Sequence, residues 1–151
     1  MKLSNVFFAT VICLLATQAL GAKRAVELTA ENLPQEGFVI SATRTPDGLI
    51  AVTLTRELAK SRTFDPASEL QIVRSTNLEI RDGEGIIARS SLEPQTNETT
   101  ITYHFQLAPR YLAESRVVIS EIDDYKKSLN REHLIGGGTI FTLQLRDVVK
   151  P

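Results

Sequence analysis

The chain has 151 residues, enough for one domain of common size with a hydrophobic core of its own. Its 17 Lys and Arg residues are interspersed with 18 Asp and Glu residues, and this near balance excludes a polybasic surface of the kind that binds nucleic acid or anionic membranes. A single cysteine excludes a fold held together by disulfides within the chain.

The first residues have the organisation of a secretory signal peptide. Lys2 gives a positive start, and Val6 to Leu15 form an apolar run that only Thr10 interrupts. A helix that crosses a bilayer needs about 20 apolar residues, so this run is too short for a typical membrane span. An uncleaved N-terminal anchor is the alternative.

A cleavage site follows the apolar run. Ala19 and Gly21 form the small-x-small pattern that signal peptidase accepts, so we expect cleavage between Gly21 and Ala22. Residues 1–21 are then the signal peptide and residues 22–151 a single exported domain. The exported domain has no cysteine, because Cys13 lies in the apolar run.

The absence of cysteine from the exported domain indicates its compartment. Small domains exported into an oxidising lumen often depend on disulfides. Because this domain has none and must rely on its own core, we interpret it as a periplasmic or secreted bacterial protein. The sequon Asn97-Glu98-Thr99 would accept a glycan in a eukaryotic secretory pathway, but in a bacterium we interpret it as chance.

Beyond residue 37 the hydrophobic pattern predicts strands. Apolar and polar residues alternate with period two, which buries one face of a strand and exposes the other. The three regular examples are Ile50 to Thr55, Ile101 to Leu107 and Phe141 to Arg146. Tyr103, Phe105 and Phe141 fall on the inward positions and are predicted core residues, whereas His104 is predicted to point outward.

Less regular runs rich in β-branched residues predict further strands. These are Phe38 to Thr43, Leu70 to Arg74, Leu78 to Arg81, Ile86 to Leu92 and Arg116 to Ile122, with Val26 to Thr29 as a first edge strand. Turn residues at Thr45 to Gly48 and at Asp82 to Gly85 predict two hairpins.

Helical signals are weak. Arg56 to Ser61 and Pro109 to Glu114 each predict one helical turn, and Tyr125 to Leu134 predicts a short helix or a long loop. The predicted fold is therefore all-β: an antiparallel two-sheet sandwich of about seven or eight strands, with an open β-barrel as the alternative.

In strand number and spacing this plan resembles immunoglobulin-like domains. The Cys-Trp-Cys signature of true immunoglobulin domains is absent, since the chain has no tryptophan and the exported part has no cysteine. The resemblance therefore implies a general architecture and no particular activity.

Catalytic chemistry has few candidates. The two histidines are His104 and His133, and no serine lies in a Gly-x-Ser-x-Gly elbow. No catalytic residue and no cofactor is predicted. An enzyme would require His104, His133 and the carboxylates of residues 121–124 to converge in space.

Acidic residues offer weak candidates for a metal site. Glu121, Asp123 and Asp124 crowd the end of a predicted strand, and Asp82 and Glu84 occupy a tight turn. Carboxylates on adjoining loops can bind calcium, although neither group matches a known calcium loop, and a solvated strand end explains them equally well.

Gly136 to Gly138 run into a strand instead of a helix N-terminus. Phosphate-binding loops place their glycines before a helix, so these glycines predict a flexible hinge or a bulge.

Two classes of function remain open. The first is a non-catalytic module of the cell envelope or extracellular space that binds another protein through strand edges or end loops. The second is a small hydrolase, or a carrier of a ligand or calcium, with its site in the end loops.

Overall fold

The computed structural model describes residues 23–60, 70–126 and 133–150, which contain nine strands and three short helical turns. The predicted signal peptide, residues 1–21, and its cleavage site at Gly21 and Ala22 lie outside the described residues. No helix in the described ranges is long and apolar enough to cross a bilayer. The strands are β1 (Lys23–Leu28), β2 (Phe38–Arg44), β3 (Ile50–Glu57), β4 (Leu70–Asp82), β5 (Gly85–Ser91), β6 (Gln95–Thr96), β7 (Thr100–Leu107), β8 (Ser115–Lys126) and β9 (His133–Gln144).

The strands form two sheets, as predicted. One has the order β1-β9-β8-β4-β5 and the other the order β2-β3-β7-β6. Neighbouring strands are antiparallel except β1 and β9, which are parallel. Within the described ranges no strand of one sheet pairs with the other, so these residues form a sandwich and not a closed barrel.

The core lies between the sheets and follows the alternation of β3 and β7. Ile50, Val52 and Leu54 are buried, and the predicted core residues Tyr103, Phe105 and Phe141 are confirmed. The core consists of Leu28, Leu33, Phe38, Ile50, Val52, Leu54, Leu78, Leu92, Ile101, Tyr103, Phe105, Leu107, Val117, Ile119, Phe141, Leu143, Leu145 and Val149.

Both predicted hairpins are confirmed. β2 pairs with β3 and β4 pairs with β5, each in antiparallel register. Gly48 and Gly83 lie in the connecting turns with φ of 84° and 59°, a left-handed conformation that glycine adopts without steric cost. The predicted first edge strand is also present, at β1.

β4 corrects the prediction of two separate strands in this region. Leu70 to Arg74 and Leu78 to Arg81 belong to one strand of 13 residues. The polar residues between them do not interrupt it, because β8 pairs with β4 continuously from Leu70 to Ile80. Cross-strand pairing therefore outweighs the turn preference of Ser75 and Asn77.

Two predictions near the C-terminus are corrected as well. Tyr125 and Leu134 are paired strand residues of β8 and β9, although a helix or loop was predicted, and residues 127–132 lie outside the described ranges. The last strand ends at Gln144 instead of Arg146, because Leu145–Val148 form a helical turn. The Val149 N–H donates to the Leu145 carbonyl, and both side chains are buried.

The predicted bulge at the glycines is confirmed. Ile122 pairs with Gly138 and Asp124 with Ile135, so two glycines oppose the single residue Asp123. A Cβ at Gly138 would lie 2.6 Å from the carbonyl oxygen of Glu121, so the close approach of β8 requires glycine there.

Candidate functional site

The core contains a buried ion cluster that joins the two sheets. Arg56 is the last inward residue of β3, and Glu121 lies on the inner face of β8. Arg56 Nε donates to Glu121 Oε1 and Arg56 Nη2 to Oε2, both at 3.1 Å. Arg74 of β4 adds a third bond, from Nε to Glu121 Oε1 at 3.3 Å. Both oxygens of the carboxylate are therefore engaged by arginines.

Aromatic rings enclose the Arg56 guanidinium. Its Cζ lies 4.5 Å from the ring centroid of Phe38 and 5.3 Å from that of Phe141. These two rings come from different sheets and contact each other edge to face, with 5.0 Å between centroids. Cation–π attraction is stronger away from water, so the rings stabilise the buried charge as well as cover it.

The backbone beside Phe38 completes the enclosure of Arg56. Arg56 Nη1 donates to the Glu36 carbonyl, and Nη2 lies 3.5 Å from the Lys60 carbonyl. Gly37 has φ of 74°, and a Cβ there would clash with the Lys60 side chain and lie 2.9 Å from Arg56 Nη1. Glycine is therefore required for the chain to approach the guanidinium this closely.

The arginines keep Glu121 ionised. Burial raises the pKa of Glu121, but the hydrogen bonds and charge of Arg56, with Arg74 in support, outweigh burial and hold the pKa below its ordinary value. A carboxylate bound in this way favours a structural role for Glu121 over calcium binding or proton transfer.

A second paired carboxylate lies on the outer face of the larger sheet. Glu79 is only 1% exposed, and it accepts bonds from Arg89 Nε at 2.9 Å and Arg116 Nε at 2.8 Å. These arginines are its direct cross-strand neighbours on β5 and β8. Burial raises the pKa of Glu79, but the bonds from Arg116 and Arg89 lower it below the ordinary value.

Two of the residues that the enzyme hypothesis requires to converge, His104 and Glu121, do not come together. His104 is exposed on the outer face of the smaller sheet, where its Nδ1 lies 3.1 Å from Thr53 Oγ1. Glu121 points into the core from the other sheet, so the smaller sheet separates the two side chains. His133 begins β9, but its side chain lies outside the described part of the structure.

The structure describes the candidate calcium ligands only in part. Glu121 points into the core, while Asp123 and Asp124 are described only by backbone pairing, with Ile72 and Gln71 of β4. Asp82 and Glu84 are exposed at the β4–β5 turn. Among the side chains that the structure describes, no group of three His, Cys, Asp or Glu residues could hold a metal ion.

A groove of about 380 Å³ opens between the sheets next to the Glu121 cluster. It lies beside β4, where the chain leaves β5 and crosses to the smaller sheet. Its lining combines polar and apolar side chains. The lining residues are Leu58, Arg74, Ser75, Thr76, Ser91, Leu92, Glu93, Pro94, Thr96, Ile101 and Tyr103.

Thr76 is the unusual residue of this groove. It is 2% exposed, and its Oγ1 has no hydrogen-bond partner among the described residues. An unsatisfied buried hydroxyl costs about 1–3 kcal/mol, so buried hydroxyls ordinarily have a partner. The backbone carbonyl of Thr76, in contrast, accepts a bond from the Leu92 N–H at 2.8 Å.

The other unusual surface is the edge strand β5. All seven of its residues are exposed, and β4 is its only partner among the described strands. Ile86 and Ile87 are 43% and 60% exposed. Ile80 pairs with Ala88 and Arg81 with Ile86, so Ile87 is the extra residue of a bulge.

No match was found when the chain was compared with models of known protein families and with curated proteins.

Proposed function

We propose that this protein is an exported, non-catalytic module that binds a protein partner through the edge strand β5. The observation that carries the proposal is that all seven residues of β5 are exposed, among them the adjacent isoleucines Ile86 and Ile87. An open edge offers a row of backbone donors and acceptors to which a strand of another protein can be added. The partner is therefore a protein that contributes an extended segment with apolar side chains.

The other sheet edges are less suited to this role. β6 has only two residues. β1 is charged along its exposed side, and Arg24 there donates to Glu36 at 2.7 Å. β2 buries or half-buries Phe38, Ile40 and Ala42 against the core. Short or charged edges resist strand addition, and β2 exposes one large apolar side chain, Val39, against the two of β5, so β5 is the favoured binding edge.

The strand orders support an immunoglobulin-like plan for this module. Such domains have strands A-B-E-D in one sheet and C, F and G in the other, to which variable-type domains add C′. If β2 to β9 are assigned to A, B, C, C′, D, E, F and G, the orders β2-β3-β7-β6 and β9-β8-β4-β5 follow that plan. β5 then corresponds to C′, an outer strand of its sheet.

Export of the module is tested by the mature N-terminus. Expressed in a bacterium with its own first 21 residues, the protein is expected to begin at Ala22 and to occur in the periplasmic fraction or the medium. Intact-mass analysis and N-terminal sequencing measure this. An Ala19→Arg variant, which removes the small residue from the cleavage site, should accumulate uncleaved. Uncleaved wild-type protein held in the membrane would support an N-terminal anchor instead.

Partner binding is tested by a photo-crosslinking amino acid placed at Ile87 in the exported protein, in cells that naturally produce it. We expect one recurrent, stoichiometric protein adduct, because a strand added to β5 would lie against this position. The matched control is the same amino acid at Val39, which is 55% exposed on the edge strand β2. Mass spectrometry identifies the adducts.

An Ile87→Lys variant separates binding from folding. Because Ile87 is largely exposed, the variant should keep its melting temperature within a few degrees while losing the adduct formed through a crosslinker at Arg89. A Val39→Lys variant should retain that adduct. Equal crosslinking from positions 87 and 39, or none from either, would contradict binding through β5.

A further inference from the structure

We infer that the partner bound at β5 is a second copy of this chain. The β5 strands of the two copies run antiparallel about a two-fold axis at Ile86 and Ile87, and their two five-stranded sheets join into one. Because the second copy uses the same edge, the inference rests on the proposed function.

The turn at the start of β5 is acidic. Asp82 and Glu84 are exposed there. Arg81 lies beside them, but its guanidinium donates to the backbone carbonyl of Glu84, and neither carboxylate forms an ion pair with a cation among the described residues. The turn therefore presents two carboxylates that are available to a partner.

The other end of β5 is basic. Arg89 and Arg116 share the single carboxylate of Glu79, at 2.9 Å and 2.8 Å. The Arg89 side chain is nevertheless more than half exposed, so it can bind a second carboxylate. Glu93 lies beyond β5, in the segment that crosses to the smaller sheet.

These charges favour an antiparallel second copy over a parallel one. In the antiparallel arrangement, the acidic turn of each copy lies beside Arg89 of the other, so Glu84 meets Arg89 twice across the axis. In a parallel arrangement, the turns would meet each other and so would the arginines. Like charges directly opposite each other are destabilising.

The middle of β5 is apolar and suits the two-fold axis. Ile87 is the extra residue of the bulge, so Ile86 and Ile87 both oppose Arg81 of β4. Antiparallel pairing centred on them brings the isoleucines of both copies together and removes apolar surface from water. The neighbouring Gly85 and Ala88 are small and leave room for the other copy's isoleucines.

The assembly closes at two copies. A two-fold axis makes the interface self-complementary, and both β5 edges are then covered. The opposite edge of the larger sheet is β1, where Arg24 donates to Glu36, and a charged edge resists further strand addition.

A cysteine trap tests this arrangement, because residues 22–151 contain no cysteine of their own. The variant Ile87→Cys is purified after export, oxidised in dilute solution and measured as intact mass without reductant. A disulfide requires Cα atoms about 4.4–6.8 Å apart, and cysteines at the axis satisfy this, so most chains are expected to form a linked dimer.

The matched control for the trap is Ser91→Cys, on the same exposed strand. Antiparallel pairing centred on the isoleucines places its two copies roughly 26 Å apart, so they should stay reduced. Failure of Ile87→Cys to form the dimer, or equal dimer from both variants, overturns the inference.

Sedimentation equilibrium of the exported protein measures the contribution of charge. The wild-type protein is expected to shift from one chain mass towards two as its concentration rises. Glu84→Lys is expected to weaken the dimer about tenfold, because it replaces two attractive contacts with two repulsive ones. The control Glu98→Lys makes the same change in the exposed turn between β6 and β7 and should leave the dimer unchanged. Equal effects of the two variants, or none, overturn the inference.

The photo-crosslinker at Ile87 separates this inference from the proposed function. An adduct that consists of two copies of this chain supports both. An adduct with a different protein, together with a purified protein that stays monomeric, overturns the second copy and leaves β5 as the binding edge. The lack of any adduct overturns both.

Discussion

Replacing Glu121 with alanine is expected to lower the free energy of unfolding by about 3–5 kcal/mol. The substitution removes the carboxylate that neutralises Arg56, whose guanidinium is enclosed by Phe38 and Phe141. The side chain of Arg56 is only 4% exposed, so it would be left as an uncompensated buried charge. Urea denaturation at pH 7, followed by circular dichroism, measures the loss.

Two variants show whether the cause is the unpaired charge. Glu27→Ala removes an exposed glutamate from β1 and is expected to change stability by less than about 0.5 kcal/mol. The double variant Arg56→Met, Glu121→Leu replaces the pair with apolar side chains and is expected to recover most of the loss, because a buried ion pair is often no more stabilising than well-packed apolar residues. A loss below about 1 kcal/mol in Glu121→Ala would show that the pair contributes little.

The position of this pair suggests why it is present. Arg56 and Glu121 join β3 to β8, which are strands B and F under the proposed immunoglobulin-like plan. In antibody domains those two strands carry the disulfide that joins the sheets. Residues 22–151 contain no cysteine, and an ion pair enclosed by aromatic rings joins the two strands instead. A bidentate pair fixes the relative position of two strands by geometry, without any dependence on redox conditions.

Much of the fold could be predicted from the sequence because its strands obey simple alternation. Ile50, Val52 and Leu54 specify the buried face of β3, and the glycines in the turns specify two hairpins. The errors arose where pairing with a neighbour outweighed local preference. β4 continues through Ser75 and Asn77 because β8 pairs with it along its length, and that information is not local to the segment.

The ion cluster could be predicted only in part. Arg56 continues the inward series of β3, and Glu121 continues the inward series of Val117 and Ile119 on β8. A charged residue at an inward position is a recognisable signal, but it indicates a single buried charge and not its partner. Their pairing could not be predicted, because it depends on which strands of the two sheets face each other. The lack of a partner for the Thr76 hydroxyl among the described residues likewise depends on contacts that the sequence does not specify.

The folded domain is expected to lose stability as the pH falls below about 5. The arginines hold the pKa of Glu121 and that of Glu79 below the ordinary glutamate value in the folded protein, whereas both residues titrate near pH 4.3 when unfolded. Each carboxylate therefore stabilises the fold fully above its unfolded pKa. Between the unfolded and the folded pKa, the unfolded chain binds protons in preference, and this lowers the stability. Once the pH has fallen through the folded pKa, the carboxylate is protonated in the folded protein too, and the stabilisation by its ion pair is gone.

The slope of the free energy of unfolding against pH distinguishes the two carboxylates. Each one that takes up a proton on unfolding adds up to about 1.4 kcal/mol per pH unit. Urea titrations between pH 7 and 3 are expected to show a shallower slope in Glu79→Gln, which folds because Arg89 and Arg116 are partly exposed and remain hydrated. High salt should reduce the Glu79 contribution more than that of Glu121, because the arginines that pair with Glu79 are 56% and 25% exposed whereas Arg56 is 4% exposed. Constant or rising stability between pH 5 and 3 would contradict the assignment of both pairs.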